Sequence, residues 1–133
     1  MIQRVQSVFL VISSISLLLI LYNFPILKDI NTDISYFLKN TYPVIRFLVF
    51  IASALSLFSV FLFKDRKKQL LIVGGARLII TVIVVLILFV YKEDYLTVDI
   101  GMLLLIVPFL ALILASYFIK KDERLVKSAD RIR

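Results

Sequence analysis

Four apolar runs, each as long as a bilayer core requires, constrain this chain more than any other feature. They occupy residues 5–24, 44–63, 70–91 and 100–119, and contain 20, 20, 22 and 20 residues. A helix rises about 1.5 Å per residue, so about 20 residues cross a hydrocarbon core roughly 30 Å thick. A buried β reading fails because the runs are continuously apolar, whereas a membrane barrel alternates with period two over about 10 residues. In lipid, a lone segment satisfies its own backbone only as a helix. The hydrophobic fraction is 62%, against roughly 45–50% in soluble domains. The mean hydropathy is +1.03. A soluble domain of 133 residues keeps too large a surface-to-volume ratio to bury that much apolar surface.

The expected fold is therefore all-α: a polytopic membrane protein with four transmembrane helices in an up-down bundle. Residues 1–119 form the bundle and residues 120–133 a basic cytoplasmic tail. Within the connection from Pro25 to Pro43, Ile26, Ile30, Ile34, Phe37 and Leu38 recur at helical spacing. That spacing predicts a short amphipathic helix on the membrane surface between the first two spans. Arg4 before the first run suits a secretory signal, but Leu21-Tyr22-Asn23-Phe24-Pro25 offers no small-residue cleavage site, so this run reads as a permanent anchor.

Charge orients the bundle. Twelve basic residues fall on one side: Arg4, the turn Lys64, Arg66, Lys67 and Lys68, the nearby Arg77, and six in the tail from Lys120 to Arg133. The other side holds four: Lys28, Lys39, Arg46 and Lys92. The positive-inside rule puts the richer side in the cytoplasm of a bacterial inner membrane, with both termini there. Anionic headgroups are the natural neighbours of that face. No aromatic residues interleave with the basic residues of the tail, so nucleic acid is expected only indirectly, through a ribosome-associated machine.

Both ends of the chain carry a resemblance. It opens Met1-Ile2-Gln3-Arg4-Val5-Gln6 and closes Lys121-Asp122-Glu123-Arg124-Leu125-Val126-Lys127-Ser128-Ala129-Asp130-Arg131-Ile132-Arg133. These ends resemble a Bacteroidetes family of short four-helix membrane proteins catalogued as a domain of unknown function. The resemblance extends over the whole length in span count and in the basic turn before the third span. It implies a cytoplasmic-membrane protein of Gram-negative anaerobes and their relatives, and it supplies no activity or catalytic residues.

The chain has no Cys and no His. Disulfides, Cys- or His-based metal sites and a His general base are thereby excluded, and no metal or cofactor is expected. No acidic residue lies inside a span, so the titratable group of a proton-coupled transporter is missing. Serines occur, but no His or intramembrane Lys is there to activate one, so no enzyme is expected.

Arg77 lies seven residues into the third run, about 10 Å along the axis. It is expected to face Ser13 of the first span or Ser56 and Ser59 of the second, whose hydroxyls fall in the same cytoplasmic half. Ala52 with Ser56, and Ala111 with Ala115, form small-x-x-x-small pairs that allow close packing. Gly74 and Gly75 thin the start of the third span, and Pro108 should kink the fourth. Beyond Ile119 no Gly or Pro intervenes, so the tail should continue as a helix. Its Arg124, Leu125, Lys127, Asp130 and Arg131 are the candidate contacts for lipid or a partner protein. The sequence favours an accessory or assembly subunit acting by association with a larger membrane complex. The alternative is a small-solute or lipid transporter or binding protein with Arg77 as its anion anchor.

Overall fold

The computed structural model describes residues 2–91 and 93–131, with side chains at all of them except residues 2–4, 41, 91 and 130. Helix α1 (Ile2–Asn23) ends just before Phe24, which precedes Pro25 and is thereby pushed out of the helical region. Strands β1 (Pro25–Asp29) and β2 (Ser35–Phe37) and a single turn, α2 (Leu38–Thr41), follow. Helix α3 (Pro43–Phe61) opens on a proline, whose missing N–H costs nothing at a first helical position. Helix α4 (Arg66–Leu86) continues into a π turn at Ile87–Tyr91. After strand β3 (Leu96–Val98), α5 (Ile100–Leu104) starts at Asp99, whose Oδ1 accepts from Ile100 N at 2.6 Å. Helix α6 (Ile106–Arg131) completes the fold.

The four long helical segments are those long and apolar enough to cross a membrane. They close into a ring in which α1 packs on α3 and α6, and α4 packs on α3 and α6. Core positions recur at helical intervals: Leu10, Leu17 and Leu21 on α1, Ile45 and Val49 on α3, Ile80 and Ile83 on α4, Leu112 and Ile119 on α6. Small residues sit where backbones approach. Ala52, Ser53 and Ser56 of α3, Ala76 of α4, and Ala111 and Ala115 of α6 are all buried. Ser14 and Ser53 join α1 to α3 through their hydroxyls at 2.7 Å. Phe9 stacks on Phe118, centroids 5.5 Å apart, between α1 and α6. The rim is apolar instead of polar, with Phe47, Leu71, Phe89 and Leu103 each about two-thirds exposed or more. A surface of that kind belongs in lipid, and the chain is a four-helix membrane protein.

The fourth span breaks at Leu105. Pro108 has no N–H for the Leu104 carbonyl, and Leu105 N instead reaches back three residues to Met102 O at 3.2 Å. Gly101 stands at a close backbone approach. A Cβ there would meet the Pro25 carbonyl group, its carbon at 2.9 Å, and Phe24 O at 3.1 Å. Gly74 and Gly75 have open space where a Cβ would go, so neither marks a close helix crossing.

The amphipathic helix expected between the first two spans is not formed. Its place is taken by a hairpin in a three-stranded antiparallel sheet of order β2-β1-β3. Ile30 and Ile34, which suggested the helical stripe, flank the turn and are exposed, while Ile26, Leu27 and Leu38 are buried. A bulge between Pro25 and Leu27 explains how two consecutive residues both reach the core. Asp29 forms the turn. Its Oδ1 accepts from Asn31 N at 2.7 Å and Thr32 N at 3.4 Å, and its carbonyl accepts from Asp33 N at 3.1 Å. Asp33 takes φ 61°, a left-handed conformation that Asp tolerates. Lys28 pairs with Asp33 at 2.7 Å, and that contact raises the lysine pKa. Thr97 Oγ1 donates to Lys28 O at 3.1 Å across the second pairing. The sheet therefore links the first and last connections and caps one end of the bundle.

Candidate functional site at the basic end of the bundle

Alternating helix directions bring the start of α1, the α3–α4 turn and the end of α6 to the end opposite the sheet. The turn is built by Asp65. Its Oδ1 accepts from Lys68 N at 3.3 Å, and its Oδ2 lies 3.1 Å from Lys68 Nζ. The hydrogen bond from the Lys68 side chain is the main reason its carboxyl titrates below the usual range. Arg66 then reaches across to α6. Its NH2 lies 2.8 Å from Asp122 Oδ2, and its NH1 donates to Asp122 O at 3.3 Å. The carboxylate contact is an ion pair without hydrogen-bond alignment.

Beneath this pair lies a buried polar layer. Gln69 of α4 donates from Nε2 to Ser59 O at 3.0 Å, a carbonyl in the last turn of α3 that also accepts from Leu62 N at 3.2 Å. Gln69 Oε1, both amide atoms of Gln6, and the hydroxyls of Ser13 and Ser59 are buried with no hydrogen-bond partner among the described residues. Each such group costs about 1–3 kcal/mol if left dry, so the layer has room in its energetics for water or a polar guest. Ser56 is buried too, but its hydroxyl returns to Ala52 O of its own helix at 2.9 Å.

The structure thus places Ser13, Ser56 and Ser59 in the core, but does not bring Arg77 to them. The buried stripe of α4 runs through Gln69, Val73, Ala76, Ile80 and Ile83. At about 100° per residue Arg77 sits about 80° off the centre of that stripe. It is half-buried on the flank and makes no side-chain hydrogen bond or ion pair among the described residues. The expected contact with the serines is corrected accordingly: the serines belong to the core stripe, and Arg77 belongs to the flank.

The tail residues stand where the helix carries them. Helix α6 runs about 12 residues, or about 18 Å, past Ile119. Arg124, Leu125, Lys127 and Arg131 are exposed on it. Lys127 pairs with Glu123 at 2.8 Å, and Ser128 Oγ caps Leu125 O at 2.8 Å. The side chain of Asp130, and the whole of Lys92, Ile132 and Arg133, lie outside the described residues.

Reading the sequence alone missed Gln6, Gln69 and the Arg66–Asp122 pair. Gln69 and Gln6 each sit one turn inside a helix start, four residues from a buried apolar or small position, and that spacing was the available signal. No curated protein and no solved structure matches the chain. The match that exists runs nearly end to end, as the resemblance of the two termini implied. A family model described as a domain of unknown function, DUF4293, fits residues 2–132, and the chain belongs to that family.

Proposed function

We propose that this is a non-enzymatic accessory subunit of the bacterial inner membrane, with both termini in the cytoplasm, working by association with a larger membrane complex. The observation carrying this reading is the length of α6. The helix continues about 18 Å beyond Ile119, farther than contact with a membrane surface needs. Leu125 and Val126 are 47% and 43% exposed on that extension, between the exposed Arg124 and Arg131. Anionic lipid reaches Lys120 and Lys121 at the interface more readily than Arg131 at the helix tip. An acidic protein surface bordering an apolar strip fits the extension along its whole length.

The positive-inside distribution supports the same orientation. The basic end carries twelve of the sixteen Lys and Arg residues. The experiment compares the native-gel size of the full chain, expressed at its natural level, with that of the Arg124→Glu/Leu125→Asp variant. The full chain is expected in an assembly well above its own 15.3 kDa in a micelle, and the variant at the free size. An unchanged assembly in the variant overturns the reading.

A further inference from the structure

At the sheet end, the outer side of the α1–α3 seam opens into a groove of about 660 Å³. Pro43, Arg46, Phe47 and Phe50 form its α3 wall, and their spacing puts them on one face of the helix. That face is turned away from the core stripe of Ile45, Val49 and Ala52. Tyr22 forms the α1 wall. The contact between Ser14 and Ser53 sets the register of these antiparallel helices, and eight residues along from each stand Tyr22 and Ile45, beside Arg46. Lys39, in the α2 turn, lines the mouth. The groove runs from polar to apolar along the helix axis. Counted from the start of the span at Pro43, Arg46 lies about 5 Å deep and Phe50 about 10 Å. Phe47 and Phe50 are both exposed.

Two cations share the mouth. Arg46 NH1 donates to Lys39 O at 2.8 Å, which anchors the guanidinium there and leaves its remaining N–H donors for another acceptor. Lys39 Nζ stands 5.7 Å from the centroid of the Phe37 ring. Neither cation pairs with a carboxylate among the described residues. The acidic groups of this end are committed elsewhere. Asp29 shapes its turn, Asp33 pairs with Lys28, and Asp99 caps α5. Glu93 and Asp94 precede β3, the sheet edge opposite β2. The β2 side of this end is therefore basic, directly above an aromatic wall.

We infer that this groove binds an anionic phospholipid of the leaflet at the sheet end, its phosphate held by Lys39 and Arg46 and an acyl chain lying along Phe47 and Phe50. Two like charges lining one mouth repel each other, and a phosphate between them turns that repulsion into attraction. A guanidinium takes phosphate oxygens through parallel N–H donors, and an ammonium binds them as a point charge. A zwitterionic lipid would bring a third cation to the same mouth. A free phosphate would leave the aromatic wall below unused. Tyr22 sets an amphipathic ring at headgroup level, where such rings belong. The inference requires only that the helices span a membrane. It is independent of any partner held by the α6 extension, which lies at the opposite end.

The test uses the full chain in phosphatidylcholine liposomes doped with phosphatidylglycerol or phosphatidylcholine that carries a photoactivatable acyl chain. Labelled residues are mapped by peptide mass spectrometry, so the readout is confined to the groove. Phosphatidylglycerol should label residues 47–50 and the last turn of α1 in clear preference to phosphatidylcholine. Lys39→Gln leaves the Arg46 contact with the Lys39 carbonyl in place and should lower that labelling about threefold. Lys39→Gln combined with Arg46→Gln should lower it by about tenfold. Lys28→Gln, at a cation already paired with Asp33, should leave it unchanged. Unlabelled phosphatidylglycerol should compete, and excess inorganic phosphate should not. Circular dichroism checks the fold of each variant. Equal labelling by the two lipids overturns the inference, as does full labelling in the double variant. An equal loss in Lys28→Gln overturns it too, because the charge of the whole end would then attract the lipid. Displacement by inorganic phosphate would make the mouth a site for the free anion and contradict the lipid. Absence of labelling by either lipid, with the chain running as a dimer on a native gel, would put a second copy in the groove and also overturn the inference.

Discussion

Arg66 and Asp122, 56 positions apart in the chain, hold the first turn of α4 against α6 with a nitrogen–oxygen distance of 2.8 Å. Both side chains are largely withdrawn from solvent, at 18% and 12% exposure. Removing one partner of such a pair leaves the other charge uncompensated, at a cost of about 3–5 kcal/mol. Asp122→Ala should therefore lower the melting temperature in detergent markedly. Arg66→Met combined with Asp122→Leu should recover much of the loss, because an apolar pair leaves no stranded charge. Equal destabilisation by the single and the double variant would show that packing, not charge, matters there.

The glycines separate into two kinds. Gly101→Ala forces a methyl group into the backbone of Phe24 and Pro25 and should cost about 1–3 kcal/mol, as overpacking does. Gly75→Ala meets nothing within 4 Å and should be neutral or stabilising by about 0.5–1 kcal/mol through reduced chain entropy. Thermal melts of the two variants side by side check the contrast.

The turn at Asp29 should respond to acid in a predictable direction. The backbone N–H of Asn31, donating to its carboxylate, is the largest reason its pKa lies below the usual 3.8. A depressed folded pKa stabilises the turn fully above the unfolded value, and the contribution disappears as pH falls through the folded value. The Asn31 and Thr32 amide resonances of the protein in micelles should titrate with a midpoint below 3.8. Asp29→Asn should abolish that titration.

Tyr95 offers a second check on the sheet end. A hydrogen bond to Glu93 is the main reason its phenol is pushed up to about 12. Glu93→Gln should bring its ionisation back toward the ordinary 10, read by ultraviolet absorbance.

The sequence made the membrane part legible because burial in lipid needs only length and apolarity. The four runs, the break near Pro108 and the helical continuation past Ile119 all follow from local rules. The sheet did not, because Ile26, Ile30 and Ile34 fit a helical stripe as well as a strand. What decides between them is pairing with Leu96–Val98, nearly seventy residues away, together with the turn at Asp29. Arg77 could be placed at its depth but not on its face, since small angular offsets decide whether a flank residue meets α3 or α6. Gln6 and Gln69 are polar residues near helix starts, where exposure is the ordinary expectation. Only the packed bundle reveals that their amides are enclosed.

The orientation of the two ends underlies the rest of the account, and single-cysteine labelling in intact cells tests it most directly. The chain has no Cys, so Thr32→Cys in the exposed hairpin turn and Ser128→Cys on the exposed α6 extension each give a clean signal. With a maleimide that does not cross the inner membrane, Thr32→Cys should label in intact cells, and Ser128→Cys should label only after that membrane is permeabilised. Labelling of Ser128→Cys in intact cells, with Thr32→Cys protected, would contradict the account.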